Sequence, residues 1–328
     1  MAEIFPWQED LWQRLSRRER HAHAYLLHGP AGIGKRTLAE RLVALLLCGR
    51  PDGGGACGQC KSCLLLRAGS HPDYFDLQPE EADKPIRVDQ VRELVDFVAQ
   101  TAQLGGRKLV LLEPAEAMNL NAANALLKSL EEPSGDTVML LVSHQPSRLL
   151  PTIKSRCLQQ ACPQPDPATA LAWLAARLPG LDAELHRRLL ELAAGSPLRA
   201  LALHEGGVLE QRSLVEEGVK KLLKQQAGPS ELAEAWKNIP LPLLLDWFCE
   251  WLLLVLRFQM SGDEAHLGPA QMSRVMRYLA ERTPLPQLLA LQDWLLAERQ
   301  KVLSKANLNR ALLLEALLVR WASLPLAG

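Results

Sequence analysis

An excess of charge of either sign is the first thing this sequence lacks: 37 Lys and Arg are balanced by 37 Asp and Glu over 328 residues. The chain as a whole therefore offers no electrostatic pull on nucleic acid or on an anionic membrane surface. Aromatic residues are few, at 5%, with three Tyr and five Phe, whereas 48% of the chain is apolar and rich in Leu and Ala. That balance favours helix. No apolar run reaches the roughly 18–20 residues that span a bilayer. Leu241 to Phe258 comes nearest and is broken by Asp246, Glu250 and Arg257, so no membrane partner is expected. The N-terminus lacks a basic stretch followed by an apolar one, so no secretory signal is expected. Seven cysteines, four of them clustered, fit a metal site better than a disulfide framework. The compartment expected from these features is the cytoplasm.

What the sequence does contain is organised around residues 29–37, GPAGIGKRT. Gly29, Gly34 and Lys35 match the phosphate-binding loop G-x-x-x-x-G-K-[ST], and Arg36 stands where the magnesium-binding hydroxyl belongs. A buried strand at Tyr25–His28 leads into the loop. Leu38, Leu42, Leu45 and Leu46 follow at helical spacing. A strand–loop–helix setting is what turns backbone N–H groups and a helix N-terminus toward an anion.

Next comes Cys48, then Cys57-Gly-Gln-Cys60-Lys-Ser-Cys63. Four thiolates on one short excursion, with Gly53, Gly54, Gly55 and Gly58 to let the chain curl, suit tetrahedral zinc. Four sulfur ligands leave no position for a catalytic water, so the metal would be structural. Free thiols in a loop and an iron–sulfur centre are the alternatives. Exposed thiols invite oxidation, and the spacing is not that of iron–sulfur proteins.

The strands expected beyond the first are Tyr74–Leu77, Lys108–Glu113 and Thr137–Val142, the last two continuous apolar runs of the buried parallel kind. Helices are expected over residues 2–20, with Trp7, Leu11, Trp12 and Leu15 on one face, from Val88 onward, and at Asn119–Glu132. An acidic loop fills residues 79–85, and Gly105-Gly106 closes the section before the third strand. Alternating strand and helix argues for a parallel sheet covered on both faces. Pro163, Pro165 and Pro167 read as a stiff linker, after which only helices are expected. Residues 168–204 hold about three. Val208–Gln226, Ser230–Asn238, Leu241–Met260, Pro269–Arg282, Leu285–Leu303 and Asn309–Leu324 form a longer bundle. Trp236, Trp247, Trp251 and Trp294 are assigned to its core, and Trp321 to a face that meets a partner chain.

Together, GPAGIGK (29–35), the cysteine insertion, HPD (71–73), NALLKSLEEP (124–133) and TIKSRC (152–157) make the chain resemble the clamp-loader group of AAA+ proteins. The resemblance implies an α/β P-loop domain with a parallel sheet over residues 1–165. A small helical lid over 166–206 and an all-α collar over 207–328 would follow. It places Gly29, Gly32, Gly34 and Lys35 in a degenerate nucleotide site, with Ser143 near the strand-end sensor and Arg199 near the lid arginine. Glu113 falls on the first acidic position of the magnesium-holding strand and Pro114 on that of the catalytic glutamate. Pro114 cannot act as a base, Arg36 cannot hold magnesium, and Thr37 points about 100° away from the position it would have to replace. ATP binding by this chain is therefore doubtful. Arg156 in Ser155-Arg156-Cys157 falls on the arginine that reaches a neighbouring subunit's ATP, where a guanidinium neutralises charge in the transition state.

The function implied is that of a non-hydrolysing clamp-loader subunit with structural Zn2+ on Cys48, Cys57, Cys60 and Cys63. Its partners would be tau/gamma-type ATPase subunits and a delta subunit, with the sliding clamp and primed DNA reached through the complex. One rival is an ATP-hydrolysing subunit of the tau/gamma type. Another is a zinc-ribbon DNA-binding module, against which stands the absence of a basic stripe with interleaved aromatics.

Overall fold

The computed structural model describes residues 4–81, 84–104, 106–268, 270–303 and 308–326. Ala2 and Glu3 of the first expected helix, Ala82 and Asp83 of the acidic loop, Gly105, and Pro269 lie outside the described residues. The chain separates into two compact units, residues 1–206 and 207–328.

The first unit is built on five parallel strands: β1 (Ala24–His28), β2 (Tyr74–Leu77), β3 (Lys108–Leu112), β4 (Thr137–Ser143) and β5 (Leu158–Ala161), in the order β2-β3-β4-β1-β5. Period-two alternation divides the central strands between two cores. Ala24 and Leu26, with Val110, Leu112, Met139 and Leu141, face one side. Tyr25 and Leu27, with Leu109, Leu111, Val138, Leu140 and Val142, face the other. Burial on both faces is why β1, β3 and β4 read as uninterrupted apolar runs.

Helices α1 (Glu9–Ser16) and α2 (Lys35–Leu47) cover the second face, burying Leu11, Trp12, Leu15, Leu38 and Leu42. The short α3 (Lys61–Arg67) lies in the cysteine insertion. The first face is covered by α4 (Val88–Ala99), α5 (Leu120–Glu131) and α6 (Pro151–Arg156). Asn119 caps α5, its side-chain oxygen accepting from the Ala122 N–H at 2.8 Å, which satisfies one of the orphan donors at a helix start. Sequence periodicity misses β5, whose LQQA is mostly exposed. It is an edge strand paired to β1 alone, so nothing forces apolar side chains on it.

Three helices complete the unit: α7 (Pro167–Arg177), α8 (Ala183–Leu192) and α9 (Pro197–Glu205). Pro167, expected in a linker, is the first residue of α7, and Asp166 caps it through the Ala168 and Thr169 N–H groups. Proline suits that position, because its missing N–H would have had no partner there.

The second unit is all helical: α10 (Val208–Leu223), α11 (Pro229–Ala235), α12 (Leu241–Ser261), α13 (Ala270–Arg282), α14 (Leu285–Leu303) and α15 (Arg310–Ser323). Its core holds Trp236, Trp247, Phe248 and Trp251. Trp321, assigned from sequence to a partner-facing surface, is fully buried and meets Phe248 edge-on at 4.9 Å between ring centroids. The aromatic content of α12 completes its pocket, and α15 turns the indole inward. Trp294, assigned to the core, is only half-buried, with the Arg320 guanidinium 4.8 Å above its ring. Among the described residues no helix is long and apolar enough to cross a membrane.

A buried ion-pair network lies inside this bundle. Arg212 is 2% exposed and reaches Glu216 at 3.1 Å and both carboxylate oxygens of Glu250 at 2.8 and 2.9 Å. Removing one member of such a network leaves a carboxylate buried without its counter-charge. Arg212→Ala is expected to cost about 3 kcal/mol, at the low end for buried pairs because Glu250 is half-exposed. Denaturant unfolding of the full chain, followed by the tryptophan fluorescence of this unit, measures it.

Candidate functional site: a phosphate loop, a cysteine cluster and a half-buried arginine

The phosphate loop leaves the end of β1, where the Gly29 N–H donates to the Ser143 carbonyl at 3.3 Å. Gly32 and Gly34 have φ of 76° and 84°, the left-handed region that glycine enters without steric cost. Both also sit under close neighbours. A Cβ on Gly34 would lie 2.3 Å from the Phe5 ring, and one on Gly32 would lie 2.7 Å from Cβ of Arg199. Residues of the chain itself thus pack closely against the loop.

The N-terminal segment fastens there. Trp7 Nε1 and Gln8 Nε2 both donate to the Ile33 carbonyl, at 2.9 and 2.7 Å. Phe5 stacks on Trp7 at 5.0 Å, and both rings meet Trp173 of α7 edge-on. From the other side the N-terminus of α9 closes in, with the Leu198 N–H on the Gly32 carbonyl at 3.1 Å. Arg199 is exposed, and its backbone rather than its guanidinium packs on the loop. Lys35, 2% exposed, turns its ammonium onto the Gly29 and Pro30 carbonyls at 2.8 and 2.5 Å. Burial draws its pKa down to about 8.

Arg36 gathers three carboxylates around its guanidinium. Its guanidinium lies 2.7 Å from Glu40, 2.5 Å from Asp76 at the end of β2, and 3.3 Å from Glu113 after β3. Burial works against the charge, but the Asp76 hydrogen bond and the Asp76, Glu40 and Glu113 charges outweigh it and raise the pKa. A fixed monovalent cation therefore stands among three carboxylates. Burial raises the pKa of Glu113, and Arg36 opposes the rise. His144 lies 3.7 Å from Glu113, and burial together with Lys35 lowers its pKa.

The next acid after Pro114 is Glu116. Its Oε1 accepts the N–H groups of His144 and Gln145 at 2.8 and 3.0 Å, so it secures the end of β4 and is committed to the backbone. Ser143 ends β4 with its Oγ buried and without a hydrogen-bond partner among the described residues.

In the insertion the structure brings the four expected cysteines together. The Sγ atoms of Cys48, Cys57, Cys60 and Cys63 all lie within 4.8 Å of one another, with Cys48 and Cys60 at 3.9 Å. Zinc–sulfur bonds of about 2.3 Å in a tetrahedron give sulfur separations of about 3.8 Å. Backbone N–H groups also point at sulfur, from Arg50 and Cys57 to Cys48 at 3.4 and 3.3 Å and from Cys60 to Cys57 at 3.4 Å. Such donors stabilise thiolates. Backbone hydrogen bonding, foremost from Cys63, pulls the Cys60 thiol down to about 6, whereas burial pushes Cys63 up to about 12. Donor set and spacing both fit a tetrahedral zinc ion. HPD explains how the insertion is held: His71 Nδ1 accepts the Asp73 N–H at 3.1 Å while Nε2 meets Ser62 Oγ at 2.5 Å.

Arg156 stands apart from both features, as the last residue of α6. Its Nη1 donates to the Thr152 carbonyl at 3.0 Å and its Nη2 pairs with Glu131.

Over the full length of both chains, 328 residues, the sequence is 68% identical to the DNA polymerase III delta-prime subunit of Pseudomonas aeruginosa. The chain belongs to the delta-prime family. Its identity to the delta-prime subunit of Escherichia coli K12 is 33%, covering 96% of this chain and 94% of that one. Two family models match, one described as DNA polymerase III, delta subunit, over residues 6–165, and one described as DNA polymerase III, delta subunit, C terminal, over residues 207–323. Among solved structures, a DNA polymerase III gamma subunit-related protein from Thermotoga maritima aligns at 22% identity. It covers 97% of this chain and 99% of that one, with a TM-score of 0.44.

In this delta-prime family member the groups that pack against the loop and Arg36 are not legible from the motif. Phe5, Trp7 and Gln8 carry no nucleotide motif, and Asp76 lies 40 residues from its partner Arg36. An arginine at the hydroxyl position was the one local signal that acids would gather around it.

Proposed function

We propose that this chain is a non-hydrolysing subunit of the clamp loader of DNA polymerase III, the assembly that opens the sliding clamp and closes it around primed DNA. Residues 1–165 would form its P-loop domain, 166–206 a lid, and 207–328 a collar that holds the subunit ring with tau/gamma ATPase subunits and delta. Arg156 would reach the ATP of an adjacent ATPase, and zinc on Cys48, Cys57, Cys60 and Cys63 would brace the insertion, all in the cytoplasm.

One observation carries this reading. Arg36 neutralises Glu113 and Asp76 where magnesium would sit, while Arg156 is the half-buried last residue of α6, with its side chain 31% exposed. Hydrolysis needs a metal between the β- and γ-phosphates and a group to orient water. With Arg36 and Pro114 at those two positions, the chain's own loop supplies neither. The isolated chain is accordingly expected to show no magnesium-dependent ATP turnover above a protein-free control, with Lys35→Ala giving the same trace. Turnover that needs magnesium and disappears with Lys35→Ala would establish instead an ATPase of the tau/gamma type.

A further inference from the structure

NALLKSLEEP is the motif the proposed function leaves without a task. Most of it is accounted for by packing: Leu126 and Leu130 are fully buried and Ser129 nearly so. Glu131 is not. It is exposed, and as the last residue of α5 it places a carboxylate at the negative end of a helix dipole, where negative charge is unfavourable. Local helix energetics gives no reason for an acid there.

Its side chain supplies one. Glu131 Oε1 receives Arg156 Nη2 across the packed ends of α5 and α6. On the same guanidinium Nη1 holds the Thr152 carbonyl at 3.0 Å, one turn back on α6, and Nε is buried without a partner. The guanidinium is thus gripped at both terminal nitrogens, and its Nε is turned into the protein. The N–H groups it can still present outward all belong to Nη1 and Nη2, which is the fork that matches phosphate oxygens.

We propose that Glu131 is a positioning residue for Arg156, fixing the plane in which the guanidinium is offered to the neighbouring subunit's ATP. The inference rests on the trans role given to Arg156 above. It joins NALLKSLEEP and TIKSRC into one device, with the carboxylate on α5 orienting the arginine on α6. The exposure of the pair matters to how it works. Side chains 31% and 48% exposed form a pair of the weak class, so it selects an orientation without competing effectively against a phosphate. A long arginine otherwise distributes itself over many rotamers, and misplacement of a catalytic group by about 1 Å costs up to about a hundredfold in rate.

The test uses the complex reconstituted from the chain, tau/gamma ATPase subunits, delta, clamp and primed DNA, read by single-turnover ATP hydrolysis. Glu131→Ala is expected to slow hydrolysis about tenfold with the KM for ATP unchanged. Glu131→Gln, which keeps the acceptor oxygen, is expected to recover most of the rate. In an Arg156→Ala background Glu131→Ala should have no further effect, because the two act as one unit. A purely structural role for Glu131 would lower the melting temperature and act equally in both backgrounds, and that result overturns the proposal. So does an unchanged rate in Glu131→Ala, and so does a faster one, which would mark the carboxylate as a lock. If Arg156→Ala itself leaves hydrolysis unchanged, the trans role fails first, and the positioning role fails with it.

Discussion

Arg156→Ala is expected to slow ATP hydrolysis at the neighbouring subunit's site by about 10³-fold or more, within the range a trans arginine contributes elsewhere. The size of the effect follows from where charge develops. In the transition state negative charge spreads over the transferred phosphoryl group's oxygens, and a guanidinium already in place stabilises it without reorganisation. Fold and stability should barely register the change. Arg156 is paired with Glu131 near the surface, and exposed pairs contribute at most about 1 kcal/mol. Arg156→Lys separates charge from shape: it keeps the cation and loses the planar fork, so it should recover only part of the rate. Single-turnover hydrolysis and clamp loading on primed DNA, each with variant and parent chains in the reconstituted complex, measure this. Parent-level rates in both assays would remove Arg156 from the mechanism.

The main lines of this architecture were readable because they rest on local patterns. The central residues of β1, β3 and β4 are apolar since both their faces are covered, so YLL, LVLL and VMLLV declare themselves. The four cysteines are close in sequence, so the ligand set could be named before the geometry. β5 stayed hidden because an edge strand with exposed side chains has no apolar period. Trp321 was misplaced for a different reason: helical spacing says which residues share a face, but not which face a bundle turns inward.

The phosphate loop shows the same limit at the site itself. Its glycines and lysine are local, and so is the substitution of Arg36. What packs against them is not. Phe5 and Gln8, Leu198, and Asp76 reach it from three separate segments, and only folding brings them together. A P-loop sequence fixes a backbone shape, and the groups that pack on that shape come from distant parts of the chain.

The zinc site makes a prediction of comparable size for stability. The purified chain is expected to carry one zinc ion, and Cys57→Ser with Cys60→Ser to abolish it, as metal analysis will read directly. Free zinc-finger peptides draw about 10–16 kcal/mol from their metal. Less is expected here, because the insertion is anchored at α2 on one side and through Ser62 and His71 on the other. A loss of about 3 kcal/mol would lower the melting temperature of a unit this size by about 6–12 °C. The loss should be local, with residues 48–63 becoming open to proteolysis while the sheet persists. Acid should act in the same direction as the serine variants. Burial holds the Cys63 thiol up at about 12, so it is protonated in the metal-free chain, and zinc must displace that proton. Affinity for zinc therefore falls as pH drops. A chain that binds no zinc, or one whose melting temperature is the same with and without it, would leave the cysteines without a structural role. Loss of DNA binding in the serine variants with no change in melting would point instead to a nucleic-acid-binding ribbon.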